Sequence, residues 1–455
     1  MLRFFLYFLI AITAICCILA DGAKGVEAIV VVALMSAIAI AISRRFTEDK
    51  EFITNVFLGA LVARLIFGIV LHVYDLRDFV GTDANGYWVI ANQIVEYWQG
   101  SASVMNEEMT RLLSLRGPGW GMNYLVACLY LVLGDSIFVA QSFCAVVGAA
   151  TVPAVYVCLQ QIFQNKQVCK TAALCVAFFP GLVIWSSQLL KDGLIVFLLV
   201  LTIAAIIRLQ RKFSWSGTLI LIFSLFGILS LRFYIFYMIT AAVLGSFVIG
   251  LETSFKAVLQ RTAILVMIGL ALTYLGVIRT ASADIEKYGS LESVQSNRAY
   301  MASVTSGYAR DTDVSTVSGA LSFVPVGFAY LMFAPFPWEV TNFRQAIALP
   351  DVLLWWLMMP LLVFGLWYVV KNKLRSSFPI LFFTLMLTVS YSVFQGNVGT
   401  AYRQRTQIQV FLFMFIAVGW TLIQEKRADR KLIEIRRRED LRRRMQGVVR
   451  PQRVS

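Results

Sequence analysis

The chain has 455 residues, 59% of them hydrophobic and only 15% charged, with a formal net charge of +14. That balance is too apolar for a water-soluble globule, and the longest non-membrane stretches, about sixty residues, are too short to fold as separate domains. The placement of the positive charge argues against a nucleic-acid surface. From Glu425 onward there are 12 Lys/Arg against 5 Asp/Glu, directly after an apolar run and with few aromatics. Such a tail predicts a cytoplasmic anchor on anionic lipid.

Apolar runs of bilayer-spanning size recur along the chain. The first, 4–20, is followed by Asp21-Gly22-Ala23-Lys24 and at once by another apolar run, so it reads as a retained span rather than a signal peptide. Twelve spans are predicted: 4–20, 28–42, 52–74, 137–159, 171–190, 193–207, 217–231, 233–251, 262–278, 352–370, 378–394 and 410–423. The expected fold is therefore an all-α polytopic membrane protein with about 12 transmembrane helices. Residues 1–423 form its membrane-embedded domain and 424–455 its basic tail.

A thirteenth apolar stretch, 118–134, decides the topology. If it crossed, the loops carrying Lys166 and Lys170, then Arg208, Arg211 and Lys212, then Lys371, Lys373 and Arg375 would all lie outside, against the positive-inside rule. With 118–134 as a juxtamembrane helix, cytoplasmic segments hold 26 basic and 9 acidic residues and external ones 13 and 17. Its opening Gly117-Pro118-Gly119-Trp120-Gly121 suits a bent or interfacial helix. Both termini are then cytoplasmic. The regions 75–136, 279–351 and 395–409 are external, together with the tight Lys191-Asp192 turn.

The external segments carry the chemistry. Asp75, Asp78 and Asp83 follow a span end, and Asp83-Ala84-Asn85-Gly86-Tyr87 leads into an amphipathic stretch. A carboxylate at this depth can act as general base on an acceptor beside a lipid phosphate. Asp75 and Asp78 read equally well as solvated loop acids. Lys191 can meet a lipid phosphate as a point charge, with Asp192 orienting it or approaching the acceptor, and the same pair also reads as an ordinary helix-turn ion pair. Arg403 and Arg405 lie where positive charge is scarce, and guanidinium groups suit bidentate phosphate binding, with a snorkelling role at a span end as the alternative. Arg232, between two spans, can join them. In the second loop, 321–336 turns apolar and reads as re-entrant or interfacial. Trp338 and Glu339 beyond it suit a sugar pocket or, for Trp338, aromatic-belt anchoring. Arg64 lies mid-span and needs a buried partner, a carboxylate or a lipid phosphate. The lone His72 reads as interfacial. Seven cysteines, mostly in apolar runs, indicate neither disulfides nor a zinc site, and no metal cluster or nucleotide motif indicates a cofactor.

These motifs resemble, in order, the GT-C superfamily of membrane glycosyltransferases, especially the branch of protein mannosyltransferases and aminoarabinose transferases. Asp83…Tyr87 resembles the acidic motif of the first external loop, and Pro118…Leu133-Gly134 its juxtamembrane segment. Phe179-Pro180, Ser186-Ser187 and Lys191-Asp192 resemble the second acidic turn. Gly399-Thr400-Ala401-Tyr402-Arg403-Gln404-Arg405 resembles a late arginine-rich turn. Asp83-Ala84 departs from the doubled acidic residue of many relatives, and no large external domain follows the last span.

The resemblance implies inverting transfer of a hexosyl or pentosyl group from a polyprenyl-phosphate sugar to an envelope acceptor, with Asp83 as base. It also implies a bacterial inner-membrane location and leaves polysaccharide-assembly partners open. Two other readings remain: an O-antigen-type polymerase or ligase, in which the second loop would dominate, and a transporter or flippase of lipid-linked saccharides, for which no internal repeat is found.

Overall fold

A chain in lipid must satisfy its backbone polar groups within itself. Accordingly, the described residues of the computed structural model (2–101, 113, 119–249, 262–263, 265–267, 269–270 and 290–448) are helical apart from connections and one isolated pairing, Gly307 with Asn397. The helices are α1 Leu2–Phe46, α2 Lys50–Val73, α3 Arg77–Val80, α4 Asp83–Trp98, α5 Trp120–Leu133, α6 Ile137–Phe163, α7 Lys166–Phe178 and α8 Pro180–Ser186. They continue as α9 Lys191–Arg211, α10 Trp215–Leu231, α11 Phe233–Ile249, α12 Leu291–Ser303, α13 Val317–Phe333, α14 Phe343–Asn372, α15 Leu374–Phe394 and α16 Val398–Val448. The all-α membrane architecture is as expected.

Among the described residues, seven helices are long and apolar enough to cross a membrane, or eight when the bent pair α7–α8 counts as one span. The difference from twelve is one of length and continuity. The expected spans 4–20 and 28–42 share α1, which breaks at Asp21-Gly22, where Gly22 takes φ +53°. At Gly25 the chain passes so close to the Cys17 carbonyl that a side chain would collide with it, so this break folds the two halves back on each other. The helices α10 and α11 have 17 residues each. Most of 262–278, Pro118 and the loop start 279–289 lie outside the described residues.

Helix α5 has 14 residues, about 21 Å at 1.5 Å per residue, well short of the roughly 30 Å of hydrocarbon. It packs against α4, α6 and α10. Helix α13, which holds most of the apolar stretch 321–336, lies along α15 and α16. Region 395–409, expected as a turn, is helical from Val398 onward.

The bundle has two chemically distinct ends. At one, Lys166 pairs with Glu48 at 3.1 Å, Asn165 donates to Glu425 at 3.2 Å, and Arg211 donates to the Gln161 carbonyl. The turn after α1, the α6–α7 turn, the end of α9 and α16 beyond its apolar part therefore meet there. The end of α2, the end of α8, the starts of α9, α14 and α16, and the α10–α11 junction gather at the other end.

Candidate functional site

That second end encloses a cavity of about 1060 Å³. Its wall draws on each of the sequence-predicted external regions. Asp83 comes from the first loop, Lys191 from the α8–α9 turn, Arg232 from the α10–α11 junction and Arg403 from α16. Residues 300–306 of the second loop form another part of the wall. Among its described residues the cavity has four cations, Lys191, Arg232, Arg344 and Arg403, and one acid, Asp83. Phe67, Leu231 and Phe233 add apolar surface.

Beneath the cavity lies a carboxylate with no exposure at all. Asp192 occupies the first turn of α9, where the exposed N–H groups of the helix favour a negative charge. Its Oδ1 accepts from Arg232 Nη2 at 2.9 Å. Its Oδ2 accepts from Arg403 Nε at 2.7 Å and lies 2.6 Å from Nη2 of the same guanidinium. Arg232 can reach it because it caps α10 in extended conformation, φ −151°, ψ 95°.

Arg403 spans two acids. Its Nη1 stands 2.8 Å from Asp83 Oδ2, with the Asp83 side chain 41% exposed. The guanidinium also lies over the Trp185 ring, 5.6 Å from the centroid, a favourable cation–π placement. Trp185, which sequence reasoning passed over, thus bears on the site. Tyr87, one turn beyond Asp83, is largely enclosed. Burial, with the charges of Asp83 and Asp192 adding to it, pushes its phenol up from the ordinary value, so it stays a hydrogen-bond donor.

Gly119 explains how Lys191 enters this group. It has φ +75°, and a Cβ there would lie 3.1 Å from Lys191 Nζ and 3.4 Å from the Leu231 carbonyl. The missing side chain leaves room for the ammonium beside the start of α5.

Asp83, Lys191, Arg232 and Arg403 are therefore brought together, with Asp192 and Tyr87 next to them. Three predicted residues are not. Arg405 is wholly buried, donates from Nη1 to the Met332 carbonyl at 2.8 Å and lies 5.1 Å from the Tyr402 ring centroid, outside the cavity wall. Because α16 is already helical here, residues two apart face different directions. Trp338, on the single 3-10 turn Pro337–Glu339, is 73% exposed and stacks on Phe336 at 5.2 Å. Glu339 accepts from Tyr330 Oη at 3.2 Å, also away from the cavity. Asp75 and Asp78 serve the loop itself, through Arg77 at 2.9 Å and Asn85 at 2.8 Å.

Arg344 was missed. It donates to the Asp78 carbonyl at 3.1 Å and lies over Phe79 at 5.1 Å on the cavity rim. Its position just ahead of a span, on the end poor in positive charge, was a signal of the same kind that singled out Arg403.

Residues 119–276 match the family model of dolichyl-phosphate-mannose-protein mannosyltransferases. No curated protein sequence matches the chain. A solved structure, the apo oligosaccharyltransferase of Archaeoglobus fulgidus, aligns with a TM-score of 0.44 at 13% identity, covering 83% of this chain and 52% of that one. The chain thus spans about half the length of that enzyme. The matched family segment begins at Gly119 and contains Lys191, Asp192 and Arg232. This multi-pass membrane protein is similar to the GT-C membrane glycosyltransferases, as the order of its motifs indicated.

Proposed function

We propose that this protein transfers a sugar from a polyprenyl-phosphate carrier to an envelope acceptor at the external face of the membrane. The observation that carries this reading is the cavity itself, four cations against one carboxylate with apolar surface alongside. A lipid phosphate needs that combination, and a nucleotide-sugar donor would call for features the sequence lacks.

In this reading the donor phosphate lies against Lys191 and Arg403, with Arg232 behind them. Asp83, exposed to the cavity, takes the proton from the acceptor hydroxyl as the acceptor oxygen attacks the anomeric carbon. The bond from that carbon to the phosphate oxygen breaks on the opposite side, which inverts the centre. The cations stabilise the negative charge gathering on the departing polyprenyl phosphate. Asp192 has both oxygens engaged by arginines and no exposure. It therefore acts as a positioning residue that holds two guanidinium groups side by side. The tail 424–455 and both termini are assigned to the cytoplasm, because the basic end of the bundle is opposite the cavity.

The test is release of polyprenyl phosphate by the purified chain in lipid nanodiscs supplied with polyprenyl-phosphate sugars and with a cell-envelope extract as the source of acceptor. Turnover that disappears in Asp83→Asn supports the reading. Turnover that survives Asp83→Asn but disappears when 300–306 is altered would instead favour an O-antigen-type polymerase or ligase.

A further inference from the structure

The span formed by α7 and α8 is broken, with a bend of 55°. Sequence causes the break. Pro180 opens α8, and Phe179 before it is extended at φ −64°, ψ 124°, as a residue preceding proline prefers. In a continuous helix the Val176 carbonyl would accept from residue 180, which as proline has no N–H. The Ala177 carbonyl would accept from Gly181, but Gly181 N donates instead to Asp351 Oδ1 of α14 at 2.8 Å. Two carbonyls are thereby orphaned inside the bundle, where an unpaired polar group is costly.

Arg64 supplies both missing donors. It lies mid-span on α2 with 1% exposure. Its Nη1 donates to the Ala177 carbonyl at 3.0 Å and Nη2 to the Val176 carbonyl at 3.3 Å. The carbonyl end of α7 is also where a helix favours a cation. The carboxylate or lipid-phosphate partner expected from the sequence is replaced by this broken backbone. Nη1 also donates back to the Ala60 carbonyl of α2 at 2.9 Å, and Nε reaches beyond the break to Ser186 Oγ at 2.8 Å, at the last residue of α8.

Ser186 is held from two further sides. Gly148 of α6 and Gly193 of α9 pass so close that a Cβ at Gly193 would lie 2.8 Å from Ser186 Cβ. Its neighbour Trp185 carries the Arg403 guanidinium, and the chain reaches Lys191 and Asp192 a few residues later.

We infer that Arg64, through the orphaned carbonyls of α7 and through Ser186, is the positioning residue that fixes α8 and so sets Trp185, Lys191 and Asp192 against Arg403. Asp351 secures the same break from the opposite side. The consequence for ligand binding rests on the proposed function. The clamp itself does not.

The test uses the full-length chain in nanodiscs and hydrogen exchange read along its length, with undecaprenyl phosphate as the binding probe. In Arg64→Met, residues 181–192 are expected to exchange about tenfold faster while α6 and α14 keep their wild-type rates. Arg64→Lys, which keeps one donor to the carbonyls, recovers part of the protection. Ser186→Ala leaves the carbonyl contacts of Arg64 in place, removes the link past the break together with the hydroxyl's own bond to the Leu182 carbonyl, and speeds 187–192 about threefold. Probe affinity falls in step with each.

Unchanged exchange over 181–192, or a uniform acceleration of the whole chain, overturns the inference. If Arg64→Met does not fold, Ser186→Ala decides by the same criterion. Failure of the probe to bind the wild-type chain would sink the proposed function while the exchange pattern still judges the clamp.

Discussion

Asp83 and Arg403, from opposite ends of the sequence, form an ion pair with 2.8 Å between Oδ2 and Nη1. The same guanidinium holds the buried Asp192. One arginine thus couples an exposed carboxylate, suited to take a proton, to a buried one that can only fix geometry.

Asp83→Asn keeps the side-chain shape and a weaker contact to Arg403 but removes the basic oxygen. General-base assistance contributes about a hundred- to ten-thousand-fold, so kcat should fall within that range. Expression, elution volume and probe affinity should stay near wild type. Wild-type turnover in this variant would remove Asp83 from the chemistry.

Arg403→Met removes one of the two cations on Asp192, which has no exposure. Breaking a buried pair on one side costs roughly 3–5 kcal/mol, because the remaining charge stays buried with fewer partners. A clear drop in melting temperature is expected, together with loss of activity. Adding Asp192→Asn to Arg403→Met should lower the stability further and restore no turnover, because Arg232 is then buried with no carboxylate. Thermal unfolding beside the transfer assay checks both, and a double variant more stable than the single one would refute the charge argument.

Legible in the sequence were the charged residues beside span ends that the structure brings to one cavity: Asp83, Lys191, Arg232 and Arg403. Charge asymmetry fixes an end of the bundle, and the cavity lies at one end. Direction along a helix was not legible. Arg403 and Arg405 looked equivalent while 395–409 was taken for a turn, and only the early start of α16 sends one to the cavity and the other to the Met332 carbonyl. Trp338 illustrates a related limit, since an aromatic next to a carboxylate suits a sugar pocket by type whichever way the chain turns it. The partners of Arg64 were hidden because they are backbone carbonyls, freed by a proline more than a hundred residues away.

Gly119→Ala tests how Lys191 is accommodated. A left-handed φ of +75° costs a residue with a Cβ about 1–3 kcal/mol, and that Cβ would stand 3.1 Å from Lys191 Nζ. KM for the lipid donor should rise several-fold with kcat less affected. Gly134→Ala is the control with the greater strain, since φ +74°, ψ 170° is a conformation essentially confined to glycine and the added Cβ would stand 3.0 Å from Lys24 Nζ instead. A KM change only at Gly119, with stability lost at both positions and more at Gly134, supports the lysine's role. Equal KM changes would reduce the effect to strain.

Sidedness can be measured without knowing any substrate. Thr82 and Thr400 line the cavity, whereas Lys371 ends α14 at the opposite pole. Single cysteines at these positions, introduced with the exposed Cys128 replaced by Ser, should react with a membrane-impermeant maleimide in two classes. Thr82→Cys and Thr400→Cys should label in intact cells, and Lys371→Cys only after the membrane is opened. The expectation follows from the shared cavity, whose wall carries Thr82 and Thr400 together with Asp83 and Arg403. Labelling of Thr82→Cys and Thr400→Cys from opposite faces would separate Asp83 from Arg403, and neither the ion pair nor a shared cavity could then exist in the membrane.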